Sequence, residues 1–175
     1  LLFVLCLIII AGGLKRLLWT VTGFTLAHSV TLSLATLNIF RVRTELVEIL
    51  IALSILLLAV EIIRHHNGRE QNSFTWRYPV SVSSGFGLLH GFGFAVVLQE
   101  LGLPQSMKLE ALLFFNIGVE IGQILFIVGF ILIVLLARQI PGIKQKEQAI
   151  IDVAVYAIGA CSAYWLFDRS ALLLG

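Results

Sequence analysis

The chain has 175 residues, 59% of them hydrophobic and only 13% charged, with a mean hydropathy of +1.01. A water-soluble domain is about half apolar and about a quarter charged, so this composition excludes one and predicts a polytopic membrane protein. A net charge of +2 is too small to direct the chain to nucleic acid, and the 12 basic residues fall mostly between apolar runs, where they set membrane orientation.

Six apolar segments follow one another, near residues 1–13, 17–40, 46–63, 78–101, 109–137 and 149–167. Backbone in lipid must satisfy its own hydrogen bonds, so each segment is predicted to be helical. The expected fold is all-α: a transmembrane bundle forming a single domain over residues 1–175, with six helices of which the first is partial. That first run, Leu1 to Ala11, is too short for a hydrocarbon core about 30 Å thick, and an upstream stretch is expected to precede it. The alternating strands of an outer-membrane barrel are not seen.

The connectors divide unevenly. The first, third and fifth hold Lys15, Arg16, Arg64, Arg69, Arg77, Arg138, Lys144 and Lys146; the others and the C-terminal end hold Arg41, Arg43, Lys108 and Arg169. The positive-inside rule assigns the richer group to the cytoplasm and places both chain ends on the other side. Gly102-Leu103-Pro104 marks the turn after the fourth segment and Pro141-Gly142 the break after the fifth.

In the second segment Thr25, His28 and Thr31 share one side at i, i+3 and i+6, where hydroxyls can orient an imidazole or solvate a partly hydrated ion. Serine and threonine are also routine in membrane helices, so plain packing competes with that reading. Glu48 and Glu61 stand near opposite ends of the third segment, and His65-His66 follow it in the connector, where adjacent histidines could collect metal but a solvated loop is the expectation. The fourth segment surrounds His90 with Gly85, Gly87, Gly91 and Gly93. Those glycines permit close helix approach, at Gly87, Gly91 and Gly93 above all, or a break that bares backbone to a cavity. No strand precedes them, so a dinucleotide-binding turn is excluded.

Along the fifth segment Asn116, Glu120 and Gln123 stand at i, i+4 and i+7 and project from one face. Gly118 and Gly122 form a G-x-x-x-G on the neighbouring face, predicted to let another helix approach. An interhelical hydrogen-bond cluster would account for the amides, but less readily for the carboxylate. Asp152, near the start of the last segment, is read as interfacial. Cys6 and Cys161 lie in apolar segments without C-x-x-C spacing and are read as small buried hydrophobes.

A charge at membrane depth costs about 2.5–3.5 kcal/mol on insertion scales, so such residues usually serve a partner, a cavity or an ion path. Imidazole nitrogen with carboxylate and amide oxygen suits a borderline divalent ion such as Ni²⁺, Co²⁺ or Zn²⁺. The expected metal ligands are His28, His90, Glu120 and Asn116, with Gln123, Thr25 and Thr31 along the pathway or supporting the ligands, while Glu48, near a segment end, could sit at the interface. The only methionine, Met107, falls in a connector, and no thiolate pair or Met cluster suits Cu(I).

Four motifs together resemble the HupE/UreJ family of membrane proteins. They are Phe24-Thr25-Leu26-Ala27-His28-Ser29 with Thr31-Leu32; Val47-Glu48 with Ile51-Ala52-Leu53-Ser54; Gly87-Leu88-Leu89-His90-Gly91-Phe92-Gly93-Phe94-Ala95, followed by Glu100-Leu101-Gly102-Leu103-Pro104; and Phe115-Asn116-Ile117-Gly118-Val119-Glu120-Ile121-Gly122-Gln123. The resemblance covers most of residues 17–137. It implies a six-helix permease of a bacterial inner (plasma) membrane for a transition metal, chiefly nickel, with His28, His90, Asn116, Glu120 and Gln123 at motif positions and Glu48 as a relay. The family typically carries Gly-x-Asp-His at the start of its first helix. This chain begins where that element would just have ended, so a site drawn from these residues is expected to be incomplete.

The leading expectation is therefore a secondary transporter, not an enzyme. It would have no permanent cofactor and no nucleic-acid partner, the bilayer and the cargo ion being its partners. No Walker motif is present, so energy would come from ion gradients or none. Two alternatives remain at this stage. An intramembrane zinc hydrolase would use two His and a carboxylate around an open water position, with Glu48 as base. A non-transporting subunit of a larger membrane complex would keep the fold alone. Homo-oligomerisation is left open.

Overall fold

The computed structural model describes residues 1–40, 42–69, 73–100 and 107–174, and these form seven helices. They are α1 (Leu2–Ala11), α2 (Leu14–Thr36), α3 (Thr44–His66), α4 (Phe74–Arg77), α5 (Pro79–Glu100), α6 (Lys108–Ala137) and α7 (Ile143–Leu174). The six expected segments correspond to all but α4, a single turn that hydropathy gives no means of seeing. Arg41 and the Gly102-Leu103-Pro104 turn lie outside the described residues. Among the described residues, α2, α3, α6 and α7 are long and apolar enough to cross a membrane.

Local chemistry sets the helix ends. Gly12 closes α1 in the left-handed region, at φ +65°, where a side chain would be strained. Asn38 takes the same region after α2, at φ +58°, as asparagine tolerates better than most. Ser73 caps α4 through its Oγ, which accepts from the Trp76 amide, and Pro79 opens α5 where a missing N–H costs nothing. The Arg16 guanidinium donates to the carbonyls of Trp76 and Arg77, tying α4 to the start of α2.

The helices run up and down in an order that side-chain contacts make explicit. Ser83 donates to the Thr20 carbonyl, Gly87 abuts Phe24 and Ala27, and Gly91 abuts His28, Thr31 and Leu32, so α2 and α5 lie parallel along the most extensive interface of the fold. Lys108 reaches the Thr36 carbonyl while Glu120 meets Thr22, so α6 runs antiparallel to α2. On the other side α7 is antiparallel to α3: Arg169 pairs with Glu48 at one end, Gly159 lies against Ala59 midway, and Asp152 meets His66 at the other.

The apolar core fills the space between these pairs. Phe3, Val4, Cys6, Leu7 and Ile10 of α1 are buried among Val21, Phe24, Ile55, Leu58, Ile62, Ile127 and Val155. A second cluster of Leu32, Ala35, Ala95 and Leu112 joins α2, α5 and α6 towards the opposite end. Cys161 departs from the expected burial: it is exposed on α7, where apolar surface faces outward, whereas Cys6 is fully buried.

Candidate functional site

The expected ligands lie on α2, α5 and α6, around the middle of the bundle. Periodicity puts Leu112, Gln123 and Ile127 on the buried face of α6, and Glu120 turns to the same side, towards α2. Glu120 Oε1 accepts from Thr22 Oγ1 at 2.7 Å, and Gln123 Oε1 accepts from Thr25 Oγ1 at 3.1 Å. Asn116 lies one turn from Glu120 and one turn from Leu112, which packs near Leu32. The antiparallel register therefore sets Asn116 at the depth of His28. Its Nδ2 donates to the Leu112 carbonyl at 2.8 Å.

The two imidazoles are buried in aromatic surroundings. His28 is stacked against Phe24, with ring centroids 5.8 Å apart, and has Phe94 at 5.4 Å on an edge. His90 lies 5.0 Å from Phe3 and 5.2 Å from the same Phe24. Phe24 is thus a ring that both histidines touch, a role that sequence reasoning missed because a phenylalanine in an apolar helix carries no signal of its own. His90 Nδ1 donates to the Phe86 carbonyl at 2.8 Å, which fixes the tautomer and leaves the lone pair on Nε2.

Several expected contacts are absent and others replace them. Thr31 donates to the His28 carbonyl and Thr25 to Val21 and Gln123, so neither hydroxyl orients an imidazole as expected. Glu48 is ion-paired with Arg169 of α7 at 3.4 Å. Gly87, Gly91 and Gly93 each lie against a neighbouring helix, whereas a β-carbon on Gly118 or Gly122 would meet nothing among the described residues. The close approach expected on that face of α6 is not made here. His65 and His66 are the last residues of α3, partly buried, and not a solvated loop. Asp152 is not simply interfacial but is bound to His66.

Among the described residues no three His, Cys, Asp or Glu side chains gather closely enough to hold a metal ion. The ligand set expected from the sequence is therefore not assembled in this conformation. Two clefts, of about 400 and 270 Å³, lie along α3 near Arg64, and neither is lined by His28, His90, Asn116 or Glu120. Among the described residues six buried side-chain atoms have no hydrogen-bond partner, and four of them belong to three expected ligands: both ring nitrogens of His28, Asn116 Oδ1 and Glu120 Oε2. Each such atom costs about 1–3 kcal/mol when left unpaired.

A protein family described as HupE / UreJ protein matches residues 1–169 of the chain. No curated protein and no solved structure matches it.

Proposed function

The chain belongs to the HupE / UreJ family, membrane proteins connected with nickel and cobalt transport, and from that membership we propose that it is a permease for a divalent transition-metal ion, chiefly nickel. It is an integral membrane protein of a transporter-type family. The observation that carries the finer reading is the set of unpartnered atoms on His28, Asn116 and Glu120.

The chemistry of those atoms is that of a borderline cation site. An imidazole nitrogen, an amide oxygen and a carboxylate oxygen present lone pairs inward, and none of them needs to be stripped of a competing bond before an ion arrives. Thr22 holds one oxygen of Glu120 and leaves the other open, and Phe86 holds His90 so that Nε2 offers its lone pair. The cargo would be bound after a shift of α6 against the α2–α5 pair that draws Glu120 and Asn116 towards the imidazoles. Rocking of one helix group against another is the usual way such folds alternate access. The basic end of the bundle, with Lys15, Arg16, Lys144 and Lys146, faces the cytoplasm on this reading.

Nickel accumulation in cells expressing the chain tests the proposal. Accumulation is expected in the parent and is expected to fall to the background of empty cells in Glu120→Gln and in His90→Ala, both still inserted in the membrane. Uptake unchanged in both variants overturns the site.

A further inference from the structure

The outer face of α3 carries a ridge between two grooves. Leu57, Val60 and Arg64 stand at i, i+3 and i+7, and all three are exposed, so they form one outward stripe. On one side a cleft of about 400 Å³ runs between α3 and α7, made deep by the small residues Ala59, Gly159, Ala160 and Ala163. On the other a cleft of about 270 Å³ reaches from Leu57 to Thr75 and Phe86. Val60 and Arg64 line both.

Arg64 sits in the last turn of α3, a helix long and apolar enough to span the membrane. The wider cleft extends inward from it as far as Leu56, about 12 Å along the helix. Surface of this kind at membrane depth meets hydrocarbon. Two grooves that converge on one cation match two acyl chains that converge on one phosphate. The guanidinium carries five N–H donors, enough to hold a phosphate beside other acceptors. Tyr156 also lines the wider cleft. The register of α7 on α3, with Asp152 at His66 and Gly159 at Ala59, sets it within a turn of Arg64, at the depth where a phenol favours the headgroup boundary.

Charge selects the headgroup. Glu61 lines the second cleft one turn before Arg64. A carboxylate there repels a purely anionic headgroup and attracts one that carries an ammonium. Side chains at i and i+3 stand about 5–6 Å apart at Cβ, a span that a phosphate and an ammonium joined through two carbons can bridge. We propose that the α3 ridge binds one molecule of phosphatidylethanolamine, with its phosphate on Arg64, its ammonium on Glu61 and its two acyl chains in the two clefts. The site needs only a chain that spans the membrane and does not depend on the cluster around His28.

Native mass spectrometry of the purified full chain tests it, with phosphatidylethanolamine, phosphatidylcholine or phosphatidylglycerol added in detergent. The parent is expected to hold one phosphatidylethanolamine about tenfold more tightly than either other lipid, since a quaternary ammonium has no proton for Glu61 and phosphatidylglycerol has no cation. Arg64→Ala is expected to weaken that binding by about 10–100-fold. Glu61→Gln is expected to keep a bound lipid but lose the preference over phosphatidylglycerol. Ala160→Trp, at an exposed position, fills the wider groove and is expected to weaken binding of all three lipids. Equal retention of the three lipids by the parent, tighter binding of phosphatidylglycerol, or unchanged phosphatidylethanolamine binding in either Arg64→Ala or Ala160→Trp overturns the proposal.

Discussion

Gly87 and Gly91 on α5 and Gly118 and Gly122 on α6 have the same four-residue spacing, yet among the described residues only the first pair touches another helix. At Gly91 a β-carbon would run into Thr31 Oγ1 and the His28 carbonyl, and at Gly87 into the Phe24 carbonyl. The backbone of α2 occupies the space that a side chain would need. At Gly118 and Gly122 the added atom would meet nothing. Small residues permit approach, but the partner decides it. Helix α6 instead turns its polar stripe inward, where Thr22 and Thr25 await Glu120 and Gln123. The glycine pair that matters is the one beside His28, because it lets two histidine-bearing helices lie side by side.

The largest expected effect that would test this contrast is at Gly91. Gly91→Ala is expected to force α5 from α2, destabilising the protein by about 1–3 kcal/mol, measured by thermal unfolding in detergent, with nickel uptake lost alongside. A variant as stable as the parent would show that the α2–α5 contact is looser than described. Next comes Thr22→Val, which removes the donor that positions Glu120. Nickel affinity is expected to fall by about 10–100-fold, as for other residues supporting a ligand, while Thr22→Ser restores it. Failure of the serine to rescue would assign Thr22 to packing alone.

Smaller effects are expected further away. Arg169→Ala breaks the half-exposed pair with Glu48, should cost less than about 1 kcal/mol, and should leave uptake unchanged if Glu48 is no relay. The least is expected of Gly118→Ala and Gly122→Ala, neutral or stabilising by up to about 1 kcal/mol through helix propensity. A marked loss of stability there would reveal a partner on that face of α6.

Much of the architecture was legible in hydropathy, because lipid leaves an apolar segment few choices besides a helix. The i, i+4, i+7 pattern placed Glu120 and Gln123 on one buried face, and they share it. What could not be read were relations between helices. Nothing in the sequence distinguishes Gly91 from Gly118, since the difference lies in what stands opposite. The relay role for Glu48 comes from the family resemblance; its ion pair with Arg169 is a contact set by how α7 docks, which the sequence does not show. His66 seemed to belong to a loop because α3 runs three residues past its apolar stretch, and Asp152 and Gln148 lie over 80 positions away in the chain. Thr22 and Phe24 carried no distinguishing mark until Glu120 and the two imidazoles were placed against them.

The central claim is that the unpartnered atoms of His28, Asn116 and Glu120 are completed by the cargo ion. X-ray absorption of nickel-loaded protein tests it most directly. The account predicts imidazole and oxygen donors around the nickel, with the imidazole signal reduced by His28→Ala and the bound metal lost in Glu120→Gln. Nickel bound with an unchanged spectrum in both variants would contradict it.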